Sequence, residues 1–250
     1  MDIYDFYRGI KRPAGSSNSC FQTETAAFDV EHREVKVRRR AGTEEAALLQ
    51  YQFSHTRQFG TEILGDPELT GDQEAITPEG YQQLCEALGY NIEGIEALVT
   101  LWKLGAKDLG TVQYADWEQG LSDMGVTSAA GLKKSVNHIV ASFPSDAKSY
   151  RAFYRKVFDF LKGERQRTAD VEYVKAVLPV VASGNWLIER FVEFLDDNGE
   201  KIKSISRDQW QLLPDLSVSI RSASDLDSYS TDDAWPRLYD DFVKWMKSRS

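Results

Sequence analysis

The closing segment of the chain constrains the fold most, because large apolar side chains recur there at helical spacing. The residues are Trp235, Leu238, Phe242 and Trp245. They form one stripe on a helix, and Pro236 suits its first turn, where a missing N–H is no loss. Asp240 and Asp241 follow in the same helix, and adjacent positions point about 100° apart. At least one carboxylate must therefore leave the stripe, which predicts a docked helix with an acidic edge for a partner.

Helix start and stop signals recur upstream, and no segment of any length alternates as a strand does. Thr77 precedes a proline at the first helical position, and Ser206 opens a capping box with Gln209. Asn91 is predicted to cap a helix whose apolar face includes Ile92. Glycines at positions 184 and 199 end two others. Helices are predicted at about 44–58, 78–88, 92–102, 114–123, 128–142, 146–162, 170–182, 186–197, 206–221 and from 235 onward.

The sequence thus predicts an all-α, multi-helix domain over residues 75–250. A helix and loop lead-in is expected at 43–74. Residues 1–42 are expected to be a disordered N-terminal extension, since 13–19 have the composition of a linker. Within this extension, the basic run at 36–40 is either a nuclear-import or phosphate contact or simply a solvated charge cluster.

Charge and composition narrow the function. The net charge of −9 disfavours nucleic acid as a partner and favours basic proteins. Residues 208–241 hold eight aspartates against two arginines, a net charge of −6, whereas residues 1–40 carry +2. No apolar run of about 18 residues or signal peptide is seen, so neither a membrane span nor secretion is expected. With only Cys20 and Cys85 present, a disulfide framework is excluded, and the nucleus and cytoplasm are the expected location.

The segment 105–116 has the frame of an EF-hand loop, with glycine at its sixth place and valine at its eighth. Calcium needs oxygen ligands at places one, three and five and a glutamate at place twelve. Those places hold Gly105, Lys107, Leu109 and Asp116. The loop therefore predicts an EF-hand-like helix pair without calcium ligands, and we expect neither a metal nor a cofactor.

Catalytic patterns are weak. None of His32, His55 and His138 has a metal-ligand spacing. Cys85 lies on the apolar face of its helix, which is typical of a buried structural thiol. The carboxylates of Asp240 and Asp241 diverge, which argues against an aspartate-dependent hydrolase. We therefore expect no active site. Two binding functions stay open, a calcium-sensor-like helical module and an EF-hand-like peptide-binding adaptor. Calcium titration of the 105–116 loop tests the first of them.

Four segments resemble the defective-in-cullin-neddylation family, specifically its potentiating-neddylation domain, over about residues 75–250. They lie at 79–85, at 101–103 with 116–120, at 150–160, and at 205–210 with 225–229 and 234–243. The last, with Trp210 and the Ala234-Trp235-Pro236 turn, is the most specific. The resemblance implies a non-catalytic scaffold that promotes transfer of a ubiquitin-like modifier from its conjugating enzyme to a cullin lysine, thereby activating cullin-RING ubiquitin ligases.

Two binding sites are implied by the resemblance. The first is an acidic patch for the cullin's C-terminal winged-helix region. Its matching residues are Asp208, Ala234 and Asp240, with Asp241 beside them. Carboxylates flanking a small residue suit a basic partner surface, although Asp208 would also favour the N-terminus of its own helix.

The second implied site is an apolar groove for the N-terminal helix of the conjugating enzyme. Its matching residues are Tyr81, Ala97, Leu98, Leu104, Leu109, Val112, Phe160, Val177 and Val180. Leu98 and Phe160 match the family in type. Tyr81, Ala97, Leu104 and Val112 differ from it in size, and Leu109 and Val177 replace polar or aromatic residues. We call these nine residues the groove positions.

Overall fold

The computed structural model describes residues 75–163 and 165–249. The predicted helix at 44–58, the lead-in at 43–74 and the extension at 1–42 lie outside these residues. The helices of the described part are α1 (Pro78–Leu88), α2 (Ile95–Lys103), α3 (Tyr114–Asp123), α4 (Ala129–Ser142), α5 (Ala147–Leu161), α6 (Val171–Val181), α7 (Trp186–Asp197), α8 (Arg207–Ser219) and α9 (Arg237–Lys247), with a 3-10 helix (Ala223–Ser228) before α9. The prediction of an all-α domain is confirmed.

Capping side chains lie at most of the N-termini of these helices. The Thr77 hydroxyl accepts the backbone N–H of Gly80, and Ser206 and Gln209 form the predicted capping box. The prediction for Asn91 was wrong. Its side chain accepts the N–H of Glu93 in a local turn, so α2 starts after Gly94 and Ile92 is exposed.

Short strands join the loops in two antiparallel pairs, which the sequence analysis did not predict. The strands are β1 (Ala75–Ile76), β2 (Val112–Gln113), β3 (Thr168–Asp170) and β4 (Ser204–Ser206). Strand β1 pairs with β2, and β3 pairs with β4. Two or three residues are too few for an alternating pattern to be recognised.

Helices α5 and α8 form an interlocked pair near the centre of the domain. The rings of Tyr154 and Trp210 stack at 4.6 Å between centroids. Trp210 Nε1 donates to the Tyr154 carbonyl at 2.9 Å, and the Tyr154 hydroxyl donates to the Trp210 carbonyl at 3.2 Å. Pro214 explains the second bond, because its missing N–H cannot serve the carbonyl four residues earlier. The two helices are thus held in one register.

The apolar stripe of α9 packs against α7, as its spacing predicts. Phe242 contacts Phe191 and Phe194 at 5.1 and 5.3 Å between ring centroids. Trp245 lies at the edge of this cluster, where its ring N–H donates to Asp197 at 2.9 Å. Aromatic pairs of this kind contribute about 0.5–1.5 kcal/mol each beyond their burial. Helix α9 is therefore firmly docked, although it begins at Arg237, after Pro236 rather than with it.

Gly120 allows α3 to approach the end of α2 closely. A Cβ atom at this position would lie 2.4 Å from the Lys103 carbonyl oxygen and 2.8 Å from Leu104 Cα. Both are backbone atoms, so a side chain here would push the two helices apart. In the part of the chain that the structure describes, no helix has the length and apolar character needed to cross a membrane.

Candidate functional site

A single side chain brings the predicted acidic residues of α8 and α9 together. The hydroxyl of Tyr239, which is buried in α9, donates to the backbone carbonyl of Gln209 in the first turn of α8. Asp208 and Asp240 are the chain neighbours of these two residues. The structure therefore places both carboxylates on adjoining helices, beside the turn that precedes α9. We call Asp208, Ala234, Asp240 and Asp241 the acidic patch.

The four residues of the acidic patch differ in their exposure and in their hydrogen bonding. Asp208, Ala234 and Asp241 are exposed, whereas Asp240 is half-buried. The Tyr229 hydroxyl donates to Asp240 Oδ1 at 2.8 Å. Burial, followed by this bond and the Asp240 charge, raises the pKa of Tyr229, so the hydroxyl remains a donor near neutral pH. One Asp240 oxygen is thus held in place by the protein.

The aspartates between α8 and α9 have different roles, and that of Asp225 is structural. Its carboxylate accepts the backbone N–H groups of Arg221 and Ser222 at 2.9 and 3.1 Å. These bonds, chiefly that from Arg221, lower the pKa of Asp225. Asp225 therefore holds the 3-10 helix that leads to α9. Asp227, Asp232 and Asp233 remain exposed and add to the negative field around the acidic patch.

Six of the nine groove positions belong to the packed core. They are Tyr81, Ala97, Leu98, Leu104, Val112 and Phe160, and the most exposed of them is Leu98 at 6%. The Tyr81 hydroxyl donates to the Ala97 carbonyl at 2.5 Å and thereby ties α1 to α2. Helix α2 also packs against α5, which carries Phe160. These six residues form an apolar wall that is closed in this structure.

The other three groove positions reach the surface. Leu109 is 42% exposed in the loop before β2, and Val177 and Val180 are half-buried on α6. The sequence analysis missed Tyr173, which is 59% exposed one turn before Val177. An exposed apolar stripe on α6 is formed by Tyr173, Ala176, Val177 and Val180. The spacing i, i+4, i+7 from Tyr173 was the signal available in the sequence.

Residues that could support metal or catalytic chemistry do not converge in the described part of the chain. Lys107 and Leu109 are exposed, and the Asp108 carboxylate accepts the N–H of Thr111 at 3.0 Å. Within residues 75–163 and 165–249, no three acidic, histidine or cysteine side chains are grouped so that they could hold a metal ion. Burial raises the pKa of the Cys85 thiol, which makes it a poor nucleophile.

The described residues thus form an all-helical domain that presents an exposed apolar stripe on α6 and the acidic patch, surfaces typical of helical domains that bind other proteins. Residues 131–245 match the family model described as "Cullin binding". The chain is 33% identical over 177 residues to DCN1-like protein 4 of Drosophila melanogaster, covering 70% of this chain and 69% of that protein. It is 32% identical over 183 residues to DCN1-like protein 4 of Homo sapiens, covering 73% and 61% of the two chains.

DCN1-like protein 5 of Homo sapiens is 31% identical to the chain over 183 residues, covering 73% of this chain and 75% of that protein. The chain therefore belongs to the DCN1-like family of proteins with a cullin-binding domain, and the resemblance drawn from the residues is confirmed. The chain spans less than two thirds of the length of the human DCN1-like protein 4 that it matches. The matched family model contains the whole acidic patch and, of the groove positions, Phe160, Val177 and Val180.

Proposed function

We propose that this protein is a non-catalytic scaffold for cullin neddylation. It would hold a cullin on the acidic patch and the modifier-conjugating enzyme on the apolar stripe of α6. The modifier would then be transferred from the enzyme to a cullin lysine. The observation that carries the proposal is the pairing of α8 and α9 through Tyr239 and Gln209. This pairing gathers the acidic patch within the segment that matches the cullin-binding family model.

The acidic patch suits a basic partner by charge and by shape. Exposed carboxylates attract a cationic surface and accelerate its encounter, and their spacing selects one register. Ala234 is small and exposed in the turn before α9, so a partner side chain can approach this turn closely. We propose that the cullin's C-terminal winged-helix region supplies this basic surface.

The apolar stripe on α6 suits an amphipathic helix. Tyr173, Val177 and Val180 lie at helical spacing, as anchor residues of a helix-in-groove interface do. The conjugating enzyme's N-terminal helix is the proposed occupant. If the buried groove positions also take part, the wall around Tyr81 and Ala97 must open when the enzyme binds.

The rate gain in this scheme comes from proximity alone. Holding the charged enzyme and the cullin on one rigid body turns their encounter into an intramolecular step. No proton transfer or nucleophile is assigned to the scaffold. Nuclear and cytoplasmic location is part of the same proposal, because cullin ligases would have to be reached in those compartments.

Binding of a cullin C-terminal fragment, measured by calorimetry, tests the proposal. Asp240→Arg places a cation where the patch needs an anion, and we expect it to reduce affinity on the order of a hundredfold. Lys134→Glu, an opposite charge reversal on the exposed face of α4, is the control for general electrostatics. Unchanged cullin affinity for a folded Asp240→Arg protein would contradict the proposed role of the acidic patch.

A further inference from the structure

Helix α5 and the loop after it form a basic region in an acidic protein. Residues 147–167 contain seven lysines and arginines against Asp159 and Glu164, whereas the whole chain carries −9. Three of the basic residues, Lys148, Arg151 and Arg155, lie on one face of α5 at helical spacing. Lys162 follows directly after the helix. The proposed function assigns no role to this face.

A shallow cleft lies between the basic face of α5 and helix α8. It is lined by Tyr150, Arg151, Tyr154, Arg155, Gln211 and Pro214. Tyr150 and Tyr154 are buried and form an apolar floor, and the two arginines stand at the rim. The interlock of Tyr154 with Trp210 holds the two helices in register. We call this feature the arginine cleft, and the two helices that form it are joined by contacts within the protein itself.

The charges of the arginine cleft are incompletely neutralised. Arg151 contacts Asp215 at 3.4 Å, and both side chains are more than 40% exposed. A single long contact between exposed groups is weak. Arg155 is exposed and forms no ion pair or hydrogen bond with any residue in the described part of the chain. The cleft can therefore offer a planar guanidinium to an incoming carboxylate.

The arginine cleft is continuous with the acidic patch. Asp208, Gln211 and Asp215 lie at positions i, i+3 and i+7 of α8 and share one face. Helix α5 runs antiparallel beside them, as the contacts of Asp159 with Arg207 and of Arg151 with Asp215 show. The cleft begins one turn along α8 from Asp208, about 5 Å away by helical rise. One partner can span both features.

We infer that the arginine cleft receives an acidic side chain of the same partner that docks its basic surface on the acidic patch. The inference rests on the proposed function, because the partner is the proposed cullin. The interface is then bipartite, with negative charge from Asp208 and Asp240 at one end and positive charge from Arg155 at the other. Two opposite charges at a fixed separation define the register and direction of docking better than one charged patch does.

Removing the positive charge of Arg155 should change the affinity for the partner in opposite directions, depending on what the partner presents at the cleft. If the partner were basic throughout, Arg155 would repel it, and removing that cation would strengthen binding. If the partner presents a carboxylate at the cleft, removing the cation weakens binding. Arg155→Glu is therefore the informative substitution. Arg155 is exposed and forms no ion pair or hydrogen bond with described residues, so we expect the variant to fold normally.

The experiment measures the affinity of a cullin C-terminal fragment for the full chain and for three variants at low and moderate salt. Arg155→Glu should reduce affinity about tenfold, with a smaller loss at higher salt. Lys134→Glu makes the same change of charge on α4, which packs against α1 and α2, and should change affinity by less than about twofold. Asp240→Arg reports on the acidic patch in the same assay.

Each outcome is decisive. A loss with Arg155→Glu that exceeds the effect of Lys134→Glu supports the bipartite interface. Unchanged or stronger binding by Arg155→Glu, while Asp240→Arg loses binding, overturns the inference and leaves the proposed function standing. Failure of the unsubstituted protein to bind any cullin fragment overturns the proposed function and the inference together.

Discussion

The groove positions and the acidic patch are related to the core in opposite ways. Six of the nine groove positions are buried, including Phe160 and Tyr81. Three of the four patch residues are exposed, and the fourth, Asp240, is half-buried. Substitutions at the six buried groove positions must therefore change stability together with any effect on binding. Substitutions in the second can change binding alone, so the patch is the better place to test function.

The largest effect is expected from Phe160→Ala, which tests how far the groove positions belong to the core. Removing a buried phenylalanine should lower the free energy of unfolding by about 3–5 kcal/mol, measured by chemical denaturation. Leu109→Ala is the matched control. It changes another groove position, but one that is 42% exposed, and should cost less than about 0.5 kcal/mol. Similar losses of unfolding free energy in the two variants would contradict the distinction between buried and exposed groove positions.

Gly120→Ala tests the same region through the backbone. The new methyl group would overlap the Lys103 carbonyl oxygen and Leu104 Cα, so we expect a loss of about 3 kcal/mol. Gly199→Ala provides the control, since its Cβ would lie no closer than 3.5 Å to its neighbours. Thermal melts of both variants suffice. A Gly120→Ala protein as stable as the unsubstituted one would mean that α2 and α3 are not packed closely.

Asp240→Asn tests the acidic patch by removing one of its charges. The amide oxygen can still accept the Tyr229 hydrogen bond, while the charge is lost. We expect cullin-fragment affinity to fall about tenfold and the free energy of unfolding to change by less than about 1 kcal/mol. Calorimetry and denaturation of the same preparation check this. A large loss of stability with no loss of affinity would assign Asp240 a purely structural role.

The smallest effect on binding is expected from Tyr229→Phe, the complement of the previous variant. It removes the hydrogen bond to Asp240 but leaves the carboxylate in place. The free energy of unfolding should fall by about 1 kcal/mol, and cullin affinity should change by less than about threefold. If affinity instead falls as far as in Asp240→Asn, orientation of the carboxylate matters as much as its charge.

The helices were predictable because their boundaries are encoded locally. Ser206 with Gln209 and Thr77 with Gly80 act within one turn, so caps in the sequence located α8 and α1. The short strands and the start of α2 were not predictable in this way. At Asn91, a local turn competed with the cap, and a pattern of side chains does not decide between them.

The sequence indicated candidate members of the two sites, but not how exposed each of them is. An apolar residue at helical spacing lies on the face that becomes buried, yet the sequence does not say whether a neighbouring helix covers it completely. Tyr81 and Val177 therefore looked alike in the sequence, although one is buried and the other half-exposed. The bond from Tyr239 to Gln209 spans 30 residues, and no local pattern indicates it.

A single-turnover transfer assay tests the central claim most directly. Conjugating enzyme pre-charged with the modifier is mixed with a cullin C-terminal fragment, with or without this protein, and the rate of cullin modification is measured. The scaffold account predicts acceleration by the unsubstituted protein and none by folded Asp240→Arg. Equal rates with and without the folded protein, for every cullin tried, would contradict it.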